Sequence, residues 1–277
     1  MEVKLFLNKN VNENANYYFN KSKKLKSKIP GVEMTIERTE KQIQEFKEKR
    51  DFYLEKKQEK QRINNFKKKE WYDKFRWTKI STGHLFVIGK DSSTNEILIK
   101  KYTTDKDILI HTETPGSPWG VLINGIEIIN NKDNIFEAAQ YLCCFSSQWK
   151  KGFGTADAFW VKPNQVTKKA MSGEYMAKGA FMIYGQKNVL KSIPLKICIG
   201  VENKEIKSDE EGEIFKYDEI FSGSEKACKI FCKNRFIKIE PGNYKYKNLL
   251  KDIKKRLKVH IDELPKYIPN DCKILKK

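Results

Sequence analysis

No stretch of this 277-residue chain approaches the roughly 18 consecutive apolar residues that a membrane-crossing helix needs. Its amino-terminal "MEVKLFLNKN" holds no apolar signal core. The expectation is a protein neither secreted nor membrane-spanning. Cys-x-x-Cys pairs are also missing. The six cysteines are Cys143, Cys144, Cys198, Cys228, Cys232 and Cys272. Cys228 and Cys232 alone stand at metal-ligand spacing, with no histidine nearby and no second pair, so no zinc site is expected. The plain reading is reduced thiols, buried or half-buried, in the cytosol.

Acidic residues are in short supply. Asp and Glu number 36 against 55 Lys and Arg, a formal charge of +19. Self-repulsion on that scale disfavours a compact state unless a polyanion offsets it. Nucleic acid is therefore the leading partner, ahead of an anionic membrane surface. Arginine is scarce beside lysine. Lysine meets phosphate as a point charge and reads little sequence, so binding should be salt-sensitive and weakly sequence-specific.

Apolar residues are present but unevenly spread. Residues 1–69 are dominated by charge and read as a helical coiled-coil arm. From Tyr18 a heptad seam runs through Ser22, Leu25, Ile29, Val32, Ile36, Thr39, Ile43, Phe46, Arg50 and Tyr53, in alternating steps of four and three. Pro30-Gly31 predicts a kink or a break. "KSKKLKSK" is either a solvated helix face or a basic stripe along phosphates; the lack of opposite charge favours the stripe. Residues 54–70 are helical in composition but nearly free of apolar side chains. They cannot supply a full-length mate for the seam.

Residues 70–201 carry the strand-forming content. "HLFVIG" and "EILIKKY" flank the polar "KDSSTN" and read as a hairpin. "DILIH" and "WGVLI" are further strands. Residues 134–151 read as one helix, with Phe136, Ala139, Tyr141, Leu142 and Cys143 toward the core. "ADAFWVKP", "GAFMIYG" and "PLKICIGV" complete the set. In 202–277, "ENKEIKSDEEGE" reads as loop, "RFIKIEPG" as a strand, and Leu249, Leu250, Ile253 and Leu257 as one face of a helix. The fold class is α+β: a mixed, mainly antiparallel sheet with a packed helix, preceded by the arm and followed by a small α+β region.

Gly173, Gly179 and Gly185 recur six apart. That is no nucleotide fingerprint, which needs close-set glycines between a strand and a helix. They read instead as turn positions. In context, "WVKPNQVTKKAMSGEYMAKGAFMIYGQKN" from Trp160 resembles the RNA-binding module of the NFACT family, NFACT-R. Upstream, "WYDKFRW" (71–77), "GKDSSTNEILIKKY", "ILIHTETPGSP" and "SSQW" (146–149) follow in the family's order. The likeness is strong over about 70–195. The arm and "KIEPGNYKYKNLLKDIKKRL" resemble the family's flanking parts more weakly. Departures include Met171 for the usual proline, and Thr112-Glu113 for the usual Ala-Asp after His111.

The resemblance implies an RNA-binding factor of ribosome-associated quality control, cytoplasmic and not an enzyme. Its partners would be tRNA and large-subunit rRNA, with no cofactor, metal or membrane. C-terminal tailing would need the family's NFACT-N half and helix-hairpin-helix. Either a separately encoded protein supplies these, or the chain is a piece of a longer one. Two rival readings stay open: a nucleic-acid-processing enzyme using His111, Asp91 and Glu174, and a coiled-coil module that docks on a protein.

The expected RNA-contacting residues are Arg76, Trp77, Lys90, Lys100, Lys101, His111, Lys150, Lys151, Lys162, Lys168 and Lys169. The lysines fall at element ends around one expected face. Arg76 and Trp77 together could stack a base, or Trp77 could simply seal the junction with the arm. His111 is an RNA-facing imidazole, a structural group bonding the adjacent loop, or a base. Asp91, Asn95, Gly173, Glu174, Gly179 and Gly185 are expected to fix turns.

Overall fold

The computed structural model describes residues 3–66, 69–168, 177–207, 214–259 and 261–275. The chain divides into two compact units, Met1–Phe66 and Lys67–Lys277.

The first unit is essentially one helix, α1 (Val11–Phe66). Asn10 and Glu13 start it reciprocally: Glu13 N donates to Asn10 Oδ1 at 2.8 Å, and Asn10 N to Glu13 Oε2 at 2.9 Å. Residues ahead of the helix fold back on it through buried Asn14. Its Oδ1 accepts from Phe6 N at 2.9 Å, and its Nδ2 donates to Phe6 O at 3.1 Å. The break expected at Pro30-Gly31 does not occur, for Pro30 lies inside an uninterrupted helix. A proline costs an interior helix about 3 kcal/mol, and so long an element has already met its nucleation cost elsewhere. On the seam Leu25, Ile29, Val32 and Ile36 are each more than half exposed.

The second unit begins with a 3₁₀ turn, Trp71–Lys74. Then come β1 (Arg76–Lys79), β2 (Leu85–Ile88), α2 (Ser92–Tyr102), β3 (Ile108–Thr112) and β4 (Gly120–Leu122). Next are α3 (Lys132–Cys144), α4 (Ser147–Lys150), β5 (Thr155–Val161), β6 (Val166–Thr167), β7 (Met182–Ile183) and β8 (Asn188–Pro194). β9 (Ile197–Lys207), β10 (Ile214–Gly223), α5 (Glu225–Phe231), β11 (Phe236–Pro241), α6 (Tyr246–Leu257) and β12 (Cys272–Ile274) follow. A six-stranded sheet has the order β1-β2-β4-β3-β5-β8, and a four-stranded sheet the order β10-β9-β11-β12. β6 and β7 form a small pair of their own, and the pairings throughout are antiparallel.

Alternation along the strands divides the core in two. Phe86, Ile88, Ile108, Ile110 and Leu122 face α3, α6 and residues of the second sheet. Val87, Leu109, Val121, Phe159 and Val161 face the other way, toward Leu98 of α2, Trp71, Tyr72 and Phe75 of the entry, and Phe181 and Ile183. Every cysteine is buried and free.

Four local expectations are corrected. "EILIKKY" is helical, not the second arm of a hairpin. Asp91 caps α2 by accepting from Thr94 N at 2.8 Å, and Asn95 and Leu98 are buried at helical spacing. The helix expected over 134–151 is two, broken at Phe145-Ser146. There Ser146 Oγ donates to Cys143 O at 2.6 Å, turning the chain before α4. The strand expected in "GAFMIYG" is reduced to Met182–Ile183, with Asn188–Pro194 as an additional strand. The polar stretch after 201 is no loop at its start: β9 runs unbroken to Lys207 and pairs with β10. Cross-strand charges stand where apolar side chains would. Lys204 pairs with Glu219, Lys216 with Glu205 at 3.3 Å, and Arg235 meets Asp218 through two nitrogens at 2.8 and 3.1 Å. The helix over Leu249–Leu257 forms as expected, burying Leu249, Ile253 and Leu257.

Candidate nucleic-acid interface

The sheet face covered by α2 and the β6–β7 pair carries an aromatic cluster with lysines on its rim. His111 lies on Trp119 (ring centroids 4.6 Å apart) and beside Phe159 (5.8 Å). Phe181 meets Trp119 edge-on at 5.7 Å. Lys187 Nζ sits 4.4 Å above the Phe159 ring, and Lys168 Nζ 5.4 Å from the Phe181 ring. At the entry, Trp71 stacks flat on Tyr102 at 4.5 Å, and Lys74 Nζ donates to Tyr102 Oη at 2.6 Å.

His111 has both ring nitrogens turned inward. Nδ1 is 2.7 Å from Thr112 O and Nε2 3.2 Å from Ser117 O. Burial holds its pKa below the usual histidine value, against the pull of those two carbonyls. A neutral ring donates to one carbonyl only, and it braces the turn that follows β3. Asp91 is likewise committed to its helix cap, and hydrogen bonding from Thr94 N depresses its pKa. Glu174 lies outside the described residues. The described members of the proposed catalytic trio are thus held by their own backbone surroundings.

Asn95 is buried, and its Oδ1 accepts from Trp119 N at 3.1 Å. A side chain at Gly89 would strike that same oxygen, 1.9 Å from where its Cβ would stand. Glu96, which with Asn95 reads in the sequence as fixing the far side of the loop that Lys90 and Asp91 open, organises the neighbourhood from α2. Its Oε1 accepts from Lys168 Nζ at 2.7 Å and from Gly179 N at 2.9 Å, and Lys100 Nζ is 3.4 Å from Oε2. Lys168, then the Gly179 amide, hold the Glu96 carboxyl down to about 2. Gly179 and Gly185 both have left-handed backbone, φ +81° and +78°. Lys169 and Gly173 lie outside the described residues.

The expected lysines do not all share one layer. Lys100 and Lys101 end α2, and Lys168 pairs with Glu96, all on the α2 side of the sheet. Lys162 is exposed at the end of β5. Lys150 and Lys151 follow Trp149, whose ring belongs to the core on the α3 side. Lys74 and Lys187 were not singled out in the sequence. Only the fold reveals them, because each is placed by an aromatic partner distant along the chain.

Arg76 and Lys90 stand at the β1–β2 end. Arg76 pairs with Ile88 across the strands. Its guanidinium lies 5.1 Å from the Phe145 ring centroid, and its buried Nε has no hydrogen-bond partner. Lys90 Nζ donates to Lys74 O at 2.7 Å. Trp77 is half-buried, edge-on to Tyr72 at 5.0 Å, and its carbonyl accepts from Tyr141 Oη at 3.0 Å. Both contacts lie within the second unit. Among the described residues, no group of three His, Cys, Asp or Glu side chains is placed to hold a metal, and no helix is long and apolar enough to cross a membrane.

With Trp119 and Phe159 buried, the part of this face that suits a polyanion is its lysine rim, and the family match points to the same class of ligand. Residues 74–185 belong to the family described as the NFACT protein RNA binding domain. Among curated relatives, the archaeal Rqc2 homolog aRqcH of Methanocaldococcus jannaschii is 37% identical over 217 residues, covering 76% of this chain and 30% of its own length. The ribosome quality control complex subunit NEMF of Homo sapiens is 33% identical over 159 residues, 57% of this chain and 15% of its own. That of Drosophila melanogaster, a NEMF homolog, is 35% identical over 133 residues, 47% of this chain and 13% of its own. The chain spans less than a third of the length of these relatives.

Proposed function

We propose that this chain is a cytoplasmic RNA-binding factor of ribosome-associated quality control. It engages tRNA and the large ribosomal subunit that carries a stalled peptidyl-tRNA, and it contributes binding rather than bond-making. C-terminal tailing would require the family's further domains. The observation that carries the reading is the match of 74–185 to an RNA-binding domain in a chain of formal charge +19. The names of the relatives supply the ribosomal setting. The rim lysines suit phosphates.

The test is capture of tRNA and large-subunit rRNA at near-physiological salt. Paired reversals separate the two layers: Lys100→Glu with Lys101→Glu at the end of α2 on one side, Lys150→Glu with Lys151→Glu on the other. Loss of two phosphate contacts should weaken binding by about tenfold or more, and should flatten its salt dependence. Binding unchanged by both pairs would remove the reading.

A second reading concerns α1. Its exposed row of Leu25, Ile29, Val32 and Ile36 fits docking against a helix of another chain. Gel filtration with a protein carrying the family's first half should give a joint peak, and Leu25→Asp with Ile29→Asp should abolish it.

A further inference from the structure

The carboxy-terminal region, beyond the family match, carries a row of cations on α6. Leu249, Ile253 and Leu257 recur every four residues and are buried in the core. Lys247, Lys251, Lys254 and Lys258 recur at steps of four, three and four, which puts them together on a face turned to solvent. All four are exposed, and they run along about 16 Å of helix. Among the described residues, no carboxylate stands within ion-pair distance of any of them. From Lys245 to Lys266 there are eight Lys and Arg against three Asp and Glu. Asp252, the one acid of α6, is half-buried and accepts from Tyr244 Oη at 2.7 Å. α6 packs on β12 and on the 3₁₀ turn Ile261–Lys266, which carries Asp262, Glu263 and Lys266. On β12, Lys273 is taken by Glu240 at 2.9 Å. Elsewhere in this region lysines also find carboxylates, as Lys216 finds Glu205 at 3.3 Å and Lys238 finds Glu225 at 2.6 Å.

Like charges at helical spacing repel and weaken a helix. Lys254 and Lys258, near the end of α6, suit its dipole. Lys247 does not: it stands in the first turn, where a cation is disfavoured and no acidic residue offsets it. Helix formation therefore does not account for the row as a whole, and a polyanion does. An anionic membrane is the weaker fit. A helix lying in a membrane surface gives its apolar side to lipid, and the apolar side of α6 is spent on the core.

We propose that the face of α6 bearing Lys247, Lys251, Lys254 and Lys258 is a second RNA-contacting surface, which lies along the sugar–phosphate backbone and reads no sequence. This rests on the RNA-binding reading and adds to it a surface outside the matched domain. Each turn of the helix offers an ammonium group, and successive phosphates of a strand offer acceptor oxygens and negative charge in a row. Lysine suits the task as a point charge on a flexible stem, which demands no fixed geometry of its partner.

The experiment uses the full chain with two paired variants, Lys247→Gln with Lys251→Gln and Lys254→Gln with Lys258→Gln. Lys216→Gln with Lys273→Gln is the control, an equal change of net charge at lysines that already have carboxylate partners. Binding of tRNA, and of RNA duplexes of unrelated sequence, is followed by fluorescence anisotropy across a salt series. Each α6 pair should weaken binding about tenfold and lower the salt slope by about 1.4–1.8, the signature of two lost phosphate contacts. The loss should be the same for every duplex sequence, and the control pair should do less. Both α6 pairs should melt at or above the wild-type temperature, because they relieve repulsion. If they melt well below it, the lysines are structural and the proposal is overturned. If the wild type binds RNA and the α6 pairs match it in affinity and slope, the row is no contact surface while the RNA reading stands. If the wild type binds no RNA, both fall. A control pair as damaging as the α6 pairs would make the effect one of net charge, and the proposal falls. It falls too if the α6 pairs keep RNA binding but lose binding to vesicles of phosphatidylserine and phosphatidylcholine, which would assign the face to a membrane.

Discussion

Lys168 Nζ lies 2.7 Å from Glu96 Oε1, and that same oxygen accepts the backbone N–H of Gly179 at 2.9 Å. One carboxylate on α2 therefore holds the chain on both sides of 169–176. Lys168 also donates to Ala177 O at 2.9 Å and Ala180 O at 3.1 Å. It is better described as a clasp than as a free phosphate contact.

Glu96 should make stability depend on pH in a defined window. Its folded pKa, about 2, lies below its ordinary 4.5. At intermediate pH the unfolded chain therefore binds the proton more readily. The Glu96 contribution is complete above about 4.5 and is lost as pH falls toward 2. Melting temperatures across this window should fall more steeply for the wild type than for Glu96→Gln. Parallel curves would show that the clasp contributes nothing.

Gly179 should not tolerate a side chain. A Cβ there would stand 2.6 Å from Ser92 Cβ and 2.7 Å from Ser92 Cα, and φ is +81°. Gly179→Ala is expected to cost about 1–3 kcal/mol, read from urea unfolding. Gly152→Ala, with φ +76° but open space around it, should cost less.

Asp91→Ala should destabilise by about 1 kcal/mol through the lost cap of α2, whereas Asp91→Asn should lose little. RNA binding should survive the Asn variant. An Asn variant as damaged as the Ala variant would assign the carboxylate's charge a role beyond capping.

Leu98→Ala should cost about 2–5 kcal/mol, since Leu98 is fully buried. Ile97, 42% exposed, should stay within about 0.5 kcal/mol on truncation. Denaturant midpoints for the two variants measure the difference directly.

Much of the sheet was legible. "DILIH", "WGVLI" and "ADAFWVKP" carry β-branched or aromatic runs bounded by turn-formers, and each became a strand. "EILIKKY" misled because a short apolar run has no decisive period; the Asp91 cap settled it, and Asp91 had been read as a turn residue. The ribbon after 201 misled for the opposite reason. Its alternation is of charges, which the apolar pattern does not register.

By itself the sequence determined the large charge excess, the lack of a long uninterrupted apolar run and the motif order that marks an RNA-binding domain. These are properties of residue type and order, and folding does not alter them. Only the tertiary structure decided which cations remain available. Lys168 is neutralised by Glu96, while Lys90 spends a hydrogen bond on the Lys74 carbonyl. A lysine's partner is set by where distant chain segments meet, and in this fold the positions that meet are separated by whole strands and helices.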